Sequence, residues 1–302
     1  MATPFSSDTT HAPETPGVTL AATARESAVT LPAIGQGSWH MGENRAPRRD
    51  EVHALQYGLD LGMTLIDTAE MYADGGAEEI VGEALRGRRD EAFVVSKVYP
   101  WNAGRHDAVA ACERSLKRLG TDHLDLYLLH WPGNVPLEET LEAFEHLQAQ
   151  GKIRRYGVSN FDLDDMHALH AVPGGDACTV NQVLYHLGSR GIEHSLLPWQ
   201  RQHGLPTMAY CPLAQGGQEL DHPEVRAIAD ELGVSPAQVL LAWATRPAPA
   251  GQSDVIAIPK AVQPAHVEAN AAAMQLTLDN ASIARLNAAF PAPTEPVTLD
   301  IV

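Results

Sequence analysis

The sequence lacks the features of a membrane protein and of a secreted, disulfide-bonded protein. No apolar run approaches the roughly 20 residues that span a bilayer. The amino terminus has no basic start followed by an apolar stretch, so it does not resemble a secretory signal. The three cysteines, Cys112, Cys178 and Cys211, are widely separated and lie within apolar patterns. This is the usage of small buried side chains in a reducing compartment, and we expect a cytoplasmic protein.

Basic residues and metal-binding motifs are also scarce. The 302 residues include 21 Lys and Arg against 38 Asp and Glu, which gives a net charge of −17. Such an excess of acid repels phosphate backbones and anionic lipids, so we expect neither a nucleic-acid nor a membrane partner. The chain has 14 histidines but no Cys-x-x-Cys and no His-Glu-x-x-His. We therefore expect no metal site.

The sequence does contain short apolar runs that alternate with longer stretches of helical spacing. This alternation is typical of parallel strands joined by crossover helices. The predicted strands lie near residues 33–37, 64–67, 93–97, 124–129, 155–158, 179–182, 207–210 and 255–258. The clearest predicted helices are 108–119, 136–150, 162–171 and 236–245, the first ending before Gly120 and the last beginning after Ser235.

Eight strand-then-helix units in about 270 residues match the size of a closed parallel barrel. An open doubly wound sheet is the alternative, but Gly35-Gln36-Gly37 does not continue into the Gly-x-Gly-x-x-Gly fingerprint of that fold. We therefore predict an α/β protein with a single (β/α)8 TIM barrel over residues 17–302. It is expected to carry an N-terminal extension or β-hairpin and a C-terminal loop over the barrel mouth. Residues 1–16 are predicted to be a disordered tail.

Polar side chains end three consecutive predicted strands. Asp67, Lys97 and His130 follow apolar runs, and a short loop then supplies Tyr72. Because the carboxyl ends of barrel strands share one rim, we expect the four side chains to meet. A lysine beside a phenol favours the phenolate and lowers the tyrosine pKa. Tyr72 is therefore expected to exchange a proton near neutral pH, with His130 donating a hydrogen bond to a substrate oxygen.

Four segments carry a resemblance to the aldo-keto reductases. They are GMTLIDTAEMY at 62–72, LLHWP at 128–132, GKIRRYGVSNF at 151–161, and IPK at 258–260 followed by Asn270. They occur in the order of the family, and their nearest form is the bacterial methylglyoxal reductase type. The resemblance implies an NADPH-dependent carbonyl reductase with a catalytic tetrad of Asp67, Tyr72, Lys97 and His130. In it, Tyr72 is the general acid and hydride comes from the nicotinamide C4.

The same resemblance implies contacts to the nicotinamide and the pyrophosphate. Tyr210 matches the aromatic residue that stacks on the nicotinamide ring. Leu213 and Gln215 lie in the loop that crosses the pyrophosphate. The residues that match the family's hydrogen bonds to the carboxamide are Ser159, Asn160 and Gln182.

The end of the site that faces the adenosine departs from the family pattern. Lys260 matches the lysine that faces the 2′-phosphate, and Asn270 also matches a cofactor residue. The family often has Ser and Arg where this chain has Ala261 and His266. An imidazole carries less charge than a guanidinium at pH 7 and cannot bind phosphate with a bidentate fork. We therefore expect NADPH to be preferred, with NADH use left open.

The substrate is expected to be a small-molecule carbonyl compound. The aromatic residues predicted to wall its pocket are Trp39, Tyr99, Trp101 and Trp131. Such a pocket suits small aldehydes, dicarbonyl compounds such as methylglyoxal, and aryl aldehydes. We expect a monomer or a weak homo-oligomer. The alternatives are a catalytically idle cofactor-binding sensor or regulatory subunit, a barrel hydrolase or lyase, and a purely structural scaffold.

Overall fold

The computed structural model describes residues 17–302, and the predicted tail, residues 1–16, lies outside this range. The first two strands form an antiparallel hairpin, β1 (Gly17–Leu20) and β2 (Val29–Pro32). The other strands are β3 (Gln36–Gly37), β4 (Leu65–Asp67), β5 (Phe93–Val98), β6 (Leu124–Leu129), β7 (Ile153–Ser159), β8 (Asn181–Leu184), β9 (Thr207–Tyr210) and β10 (Val255–Ala257). The helices are α1 (Arg48–Asp60), α2 (Gly76–Ala84), α3 (Asp107–Leu119), α4 (Leu137–Ala149), α5 (Leu163–Ala171), α6 (Leu196–Gln202), α7 (Pro223–Leu232), α8 (Pro236–Ala244), α9 (Pro264–Ala273) and α10 (Asn280–Ala289).

Strands β3 to β10 form one parallel sheet in chain order, and the sheet closes on itself. Ile34 bridges to Ala257 in parallel, and the backbone N–H of Gly35 donates to the Ala257 oxygen at 2.8 Å. A Cβ atom on Gly37 would stand 2.7 Å from the Ile258 oxygen, so this closure requires glycine. The predicted barrel is confirmed, and the open sheet is excluded.

The barrel interior is filled by alternate side chains from its strands. Because successive side chains of a strand point to opposite faces, one set points inward and the other packs under the helices. Val18, Leu20 and Leu31 of the hairpin join the inward set, which includes Leu65, Val95, Leu126, Leu128, Val180, Met208 and Ile256. The predicted N-terminal hairpin is thus confirmed, and its apolar face packs into the barrel interior.

The predicted helices agree with the structure to within one or two residues, because their ends carry strong local signals. Gly120 caps α3 in the left-handed conformation at φ 64°. Asp162 and Ser235 begin α5 and α8, each with a reciprocal capping box.

Helices α7 and α10 are additional to the eight helices that alternate with the barrel strands. They pack on each other, and Arg285 of α10 pairs with Glu231 of α7 at 2.7 Å. After α10 the chain returns over the barrel mouth, where the Ser189 hydroxyl donates to Asp300 at 2.5 Å. The predicted C-terminal covering segment is therefore confirmed. Within residues 17–302, no helix is both long and apolar enough to cross a membrane.

Candidate active site

A cleft of about 860 Å³ opens at the carboxyl ends of the barrel strands. Its walls come from the loop between β3 and α1, the loop 211–216 after β9, the amino-terminal ends of α8 and α9, and the C-terminal residues Ile301 and Val302. Its lining includes these predicted site residues: Trp39, Asp67, Tyr72, His130, Trp131, Asn160, Gln182, Tyr210, Leu213, Gln215, Lys260, His266 and Asn270. Lys97 and Ser159 lie buried beneath this surface.

The alternation of side chains along each strand places the predicted polar residues in one layer, at the floor of the cleft. Asp67, Lys97 and His130 each lie two positions beyond an inward-facing residue of the same strand, namely Leu65, Val95 and Leu128. Gln182 and Tyr210 follow Val180 and Met208 by the same spacing. Since side chains two apart share a face, all five point toward the barrel axis, one layer above the apolar core.

The Lys97 ammonium is the centre of the buried polar group. Its Nζ donates to Asp67 Oδ2 at 2.8 Å, to the Thr68 carbonyl at 2.8 Å and to Tyr72 Oη at 3.0 Å. An ammonium has three N–H donors, and all three are used. Asp67 Oδ1 accepts a further bond from Gln182 Nε2 at 2.8 Å. The phenol of Tyr72 is thereby held beside a fully buried ion pair.

Tyr72 enters this group from a strained turn. It begins a short 3-10 helix, Tyr72–Gly75, in which Ala73 and Asp74 adopt left-handed backbone angles at φ 51° and 52°. Such angles cost energy for residues other than glycine and concentrate at functional sites.

The protonation of Tyr72 differs from the sequence-based expectation. Burial and the nearby Asp67 carboxylate raise the pKa of Tyr72 well above its usual value of 10. The expected lowering by Lys97 is wrong, because the phenol is removed from water and the lysine charge is already shared with Asp67. Burial also raises the pKa of Asp67 and lowers that of Lys97. Tyr72 is therefore a protonated donor in this arrangement.

His130 stands beside the phenol as a neutral ring. Its ring meets that of Tyr72 edge to face, with 5.9 Å between centroids. Burial and the charge of Lys97 lower the pKa of His130 to about 2, so the imidazole is uncharged throughout the physiological range. Its Nδ1 atom is buried without a hydrogen-bond partner in the described part of the chain. A neutral imidazole has one N–H to donate and no charge that would repel Lys97.

Two amide side chains flank the tetrad. Asn160 has a left-handed backbone at φ 58°. Its Nδ2 donates to the His130 carbonyl at 3.1 Å, and its Oδ1 accepts from Tyr210 Oη at 2.8 Å. Ser159 lies behind it, with Oγ 3.3 Å from Asn160 Nδ2. Asn160 and Gln182 both line the cleft and could bind an amide-bearing cofactor, whereas Ser159 supports Asn160 from below.

The loop 211–216 crosses the cleft in an unusual backbone conformation. Cys211, Ala214, Gln215 and Gly216 all have positive φ angles, between 49° and 80°. Three of these residues are consecutive, and the N–H groups of Ala214 and Gly216 donate to the Cys211 and Leu213 carbonyls within the loop, both at 2.9 Å. Leu213 and Gln215, the two residues expected here, lie in the cleft wall.

The structure adds two cations that sequence reasoning missed. Arg45 and Arg226 line the cleft together with Lys260 and His266. Gly37 N donates to the Pro259 carbonyl at 3.0 Å, so the loop carrying Arg45 starts beside Lys260. Burial is the main cause that lowers the pKa of Lys260, and the charge of Arg45 contributes. Arg45 is the only Lys or Arg among residues 38–47, a signal that could have drawn attention to it.

The predicted aromatic residues divide between two places. Trp39 and Trp131 line the cleft. Tyr99 and Trp101 do not; they stack on each other beside it, with 4.2 Å between ring centroids. Within residues 17–302, no three His, Cys, Asp or Glu side chains come together in a way that could hold a metal ion.

Comparison with known proteins shows which proteins this chain is similar to. Residues 33–290 match the sequence profile of the Aldo/keto reductase family. The chain is 57% identical over 278 residues to the methylglyoxal reductase YeaE of Escherichia coli, covering 91% of this chain and 96% of that one. It is 34% identical to the methylglyoxal reductase DkgA of Yersinia pestis, covering 80% and 82%. An aldo/keto reductase from Klebsiella pneumoniae, solved with NADP and acetate, superposes with a TM-score of 0.88 at 54% identity, covering 91% and 96%.

Proposed function

Because the chain belongs to the aldo/keto reductase family, we propose that it reduces small aldehydes and dicarbonyl compounds with NADPH, methylglyoxal being the first substrate to test. The similarity to methylglyoxal reductases and to an NADP-bound structure supports both parts of the proposal. NADPH supplies the hydride when it is bound. The observation that carries the proposal is the Tyr72 phenol, whose Oη lies 3.0 Å from the Lys97 Nζ at the floor of the cleft.

Tyr72 is the proton donor in this proposal. Its raised pKa keeps the phenol protonated in the resting enzyme. During reduction the carbonyl oxygen would gain negative charge and become basic enough to take the phenolic proton of Tyr72. The phenolate left behind lies 3.0 Å from the Lys97 ammonium. Lys97 therefore stabilises the state in which the proton has left, more than the state in which it is present.

His130 orients the carbonyl oxygen. A neutral imidazole can donate one hydrogen bond to that oxygen without competing with Tyr72 for the role of acid. The His130 side chain lines the cleft beside Tyr72, so its ring lies where a bound carbonyl oxygen would be held. Together the phenol and the imidazole position the carbonyl group at the floor of the cleft.

The residues present fit a dinucleotide with a 2′-phosphate. Asn160 and Gln182 offer amide groups near the tetrad, and the Tyr210 ring lies beside them. Within the loop 211–216, the N–H groups of Ala214 and Gly216 are bonded inside the loop, which leaves those of Leu213 and Gln215 as the donors proposed for a pyrophosphate. At the Lys260 end, we assign Arg45 a role that the sequence did not predict: its guanidinium, which pairs with Glu43 at 2.8 Å, would bind a phosphate in place of that carboxylate, where His266 replaces the arginine common in the family. A small group of cations thus binds phosphate within a protein whose net charge is −17.

The test is NADPH oxidation by the purified chain in the presence of methylglyoxal. We expect turnover in the natural sequence and a loss of about 100- to 10,000-fold in kcat for Tyr72→Phe, because general acid catalysis contributes roughly that factor. Tyr57→Phe is the matched control, since Tyr57 donates to Glu268 at 2.7 Å on the outside of the barrel. Activity that survives unchanged in Tyr72→Phe contradicts the role of proton donor. NADPH binding without turnover of any aldehyde would favour the idle sensor instead.

A further inference from the structure

A buried ion pair lies behind residues 72–75, which we call the Tyr72 turn. Glu78, in the first turn of α2, pairs with Arg118, in the last turn of α3, with 2.5 Å between Arg118 Nε and Glu78 Oε2. The Glu78 side chain is fully buried, and neither residue lines the cleft. Because taking two charges out of water costs free energy, a buried pair is weak evidence for stability. Its location next to the catalytic residues needs another explanation.

On one side, the pair joins the segments that carry Tyr72 and Lys97. Helix α2 starts directly after the Tyr72 turn. Glu78 Oε1, in the first turn of this helix, accepts the hydroxyl of Ser96 at 2.5 Å. Ser96 immediately precedes Lys97 in β5. The Glu78 carboxylate therefore fixes the start of α2 against the strand residue next to the catalytic lysine.

On the other side, the Arg118 side chain lies against the end of the same turn. A Cβ atom on Gly75 would stand 2.5 Å from Arg118 Cδ. Gly75 also has φ 89°, an angle that favours glycine. Arg118 Nη2 donates to Ser115 Oγ at 3.2 Å, which holds the guanidinium on α3. A shift of the Tyr72 turn toward α3 would therefore displace Arg118 from Glu78.

The Tyr72 turn needs such support because it is strained. Two of its residues have left-handed backbone angles, and such angles persist only where surrounding contacts hold them. We propose that Glu78 and Arg118 are positioning residues that hold the Tyr72 turn. Their effect is to keep the phenol at hydrogen-bond distance from the Lys97 ammonium, 3.0 Å in the structure. The proposal rests on the proposed function and adds two residues to it, neither of which touches the reacting atoms.

The position of the phenol is critical because the ammonium cannot follow it. Lys97 Nζ also donates to Asp67 and to the Thr68 carbonyl, both at 2.8 Å. A phenol that moves away from Lys97 loses the stabilisation of its phenolate. A misplacement of about 1 Å in an active site can lower a rate by about 100-fold. The effect is expected in kcat rather than in binding, because the pair does not line the cleft.

Glu78 also carries a charge that acts on Lys97. Burial lowers the pKa of Lys97, and the carboxylates of Asp67 and Glu78 oppose that lowering. A glutamine has the length of a glutamate and can still bond to Arg118 and Ser96, but it carries no charge. Glu78→Gln therefore removes the charge and keeps the contacts, whereas Glu78→Ala removes both.

The experiment measures NADPH oxidation with methylglyoxal in the natural enzyme, Glu78→Ala and Glu78→Gln. We expect Glu78→Ala to lower kcat about 10- to 100-fold, while KM for methylglyoxal and the affinity for NADPH in a fluorescence titration stay within about threefold. Glu78→Gln should keep kcat within about threefold of the natural enzyme, because its contacts remain.

Asp125→Ala is the matched control. Asp125 pairs with Arg89 at 2.7 Å and accepts the backbone N–H of Val94 at 2.8 Å, at the amino-terminal ends of β5 and β6. Asp125→Ala thus removes a carboxylate with two bonds, as Glu78→Ala does, but at the end of the barrel away from the cleft. Urea unfolding should show a loss of stability in both variants, and kcat of Asp125→Ala should stay within about twofold.

Ser96→Ala tests the same contact with less risk to folding. It removes only the hydroxyl that donates to Glu78 Oε1. We expect kcat to fall about two- to fivefold, the worth of one hydrogen bond, with KM unchanged. An unchanged kcat in both Ser96→Ala and Glu78→Ala, in an enzyme that reduces methylglyoxal, would refute the positioning role alone.

Other outcomes also overturn the proposal. Equal losses of kcat in Glu78→Ala and Glu78→Gln would show that the charge matters and the contacts do not. A loss in Asp125→Ala as large as in Glu78→Ala would show a general effect of stability. A crystal structure of Glu78→Ala that keeps Tyr72 Oη 3.0 Å from Lys97 Nζ would refute positioning whatever the substrate. If the natural enzyme oxidises NADPH with no aldehyde, the proposed function fails, and that crystal structure still decides the positioning role.

Discussion

Replacing Lys97 with methionine is expected to cost both stability and activity, because it leaves a carboxylate alone in the barrel. Asp67 is 2% exposed and Lys97 is fully buried, with 2.8 Å between Asp67 Oδ2 and Lys97 Nζ. In Lys97→Met, the almost fully buried Asp67 carboxylate keeps only the hydrogen bond from Gln182. Removing one partner of a buried ion pair typically lowers the free energy of unfolding by about 3–5 kcal/mol. We expect a loss of that size.

The double variant Asp67→Asn/Lys97→Met separates charge from packing. A buried ion pair replaced by neutral groups of similar volume is often close to neutral for stability. The double variant should therefore lie within about 1–2 kcal/mol of the natural protein, far less than the sum of the two single losses. Its activity should remain absent, since Tyr72 has lost the ammonium that stabilises its phenolate.

The assay is urea unfolding of all four members of the cycle, combined with NADPH oxidation. Burial raises the pKa of Asp67 above its value in the unfolded chain. A raised carboxyl pKa stabilises the folded state below the unfolded pKa, and this stability is lost as pH rises through the folded pKa. Lys97→Met should therefore be less destabilised at mildly acidic pH than at mildly alkaline pH. Losses that simply add, or that do not depend on pH, would refute the argument.

Three further predictions concern protonation, cofactor choice and packing. The pKa of His130 is lowered to about 2, so the pH profile of kcat/KM should show no inflection at about 6.5, the pKa of a free histidine. An inflection there that disappears in His130→Gln would contradict this prediction. Arg45→Ala should weaken NADPH binding about three- to tenfold and leave NADH binding nearly unchanged; the factor is modest because the guanidinium is largely exposed. Fluorescence titration measures both affinities. Equal losses for the two cofactors would show that Arg45 does not contact the 2′-phosphate. Trp243→Ala should lower the free energy of unfolding in urea by about 3–5 kcal/mol, because the indole is fully buried and its ring centroid lies 4.0 Å from Arg246 Cζ. A loss below about 1 kcal/mol would mean that neighbouring side chains move in to fill the cavity.

The barrel and its catalytic floor follow closely from the sequence. Local periodicity and local backbone preference determine the strand positions and the inward set of side chains. They also determine the helix caps, such as Ser235 and Gly120. The meeting of Asp67, Lys97 and His130 also follows, since parity along each strand and the shared rim are enough to bring them together. Helices α7 and α10 were not predicted, because nothing local distinguishes them from helices of the barrel.

The pKa of Tyr72 depends on tertiary packing and could not be predicted from neighbouring charges alone. The presence of Lys97 nearby predicted a lowered value, whereas burial and Asp67 raise it. Exclusion from water is a property of everything packed around the phenol. It cannot be seen from the residues that carry the charges.

The sequence by itself determined the strand and helix pattern, the closed barrel, and which polar groups end which strands, because each of these depends on neighbours along the chain. Only the tertiary structure decided that Arg45 joins Lys260, and that Tyr99 and Trp101 stand outside the cleft. Those placements depend on the paths of loops, which are set by contacts between segments far apart in the chain. Glu70 holding Tyr99 and Gly37 bonded to Pro259 are two such contacts.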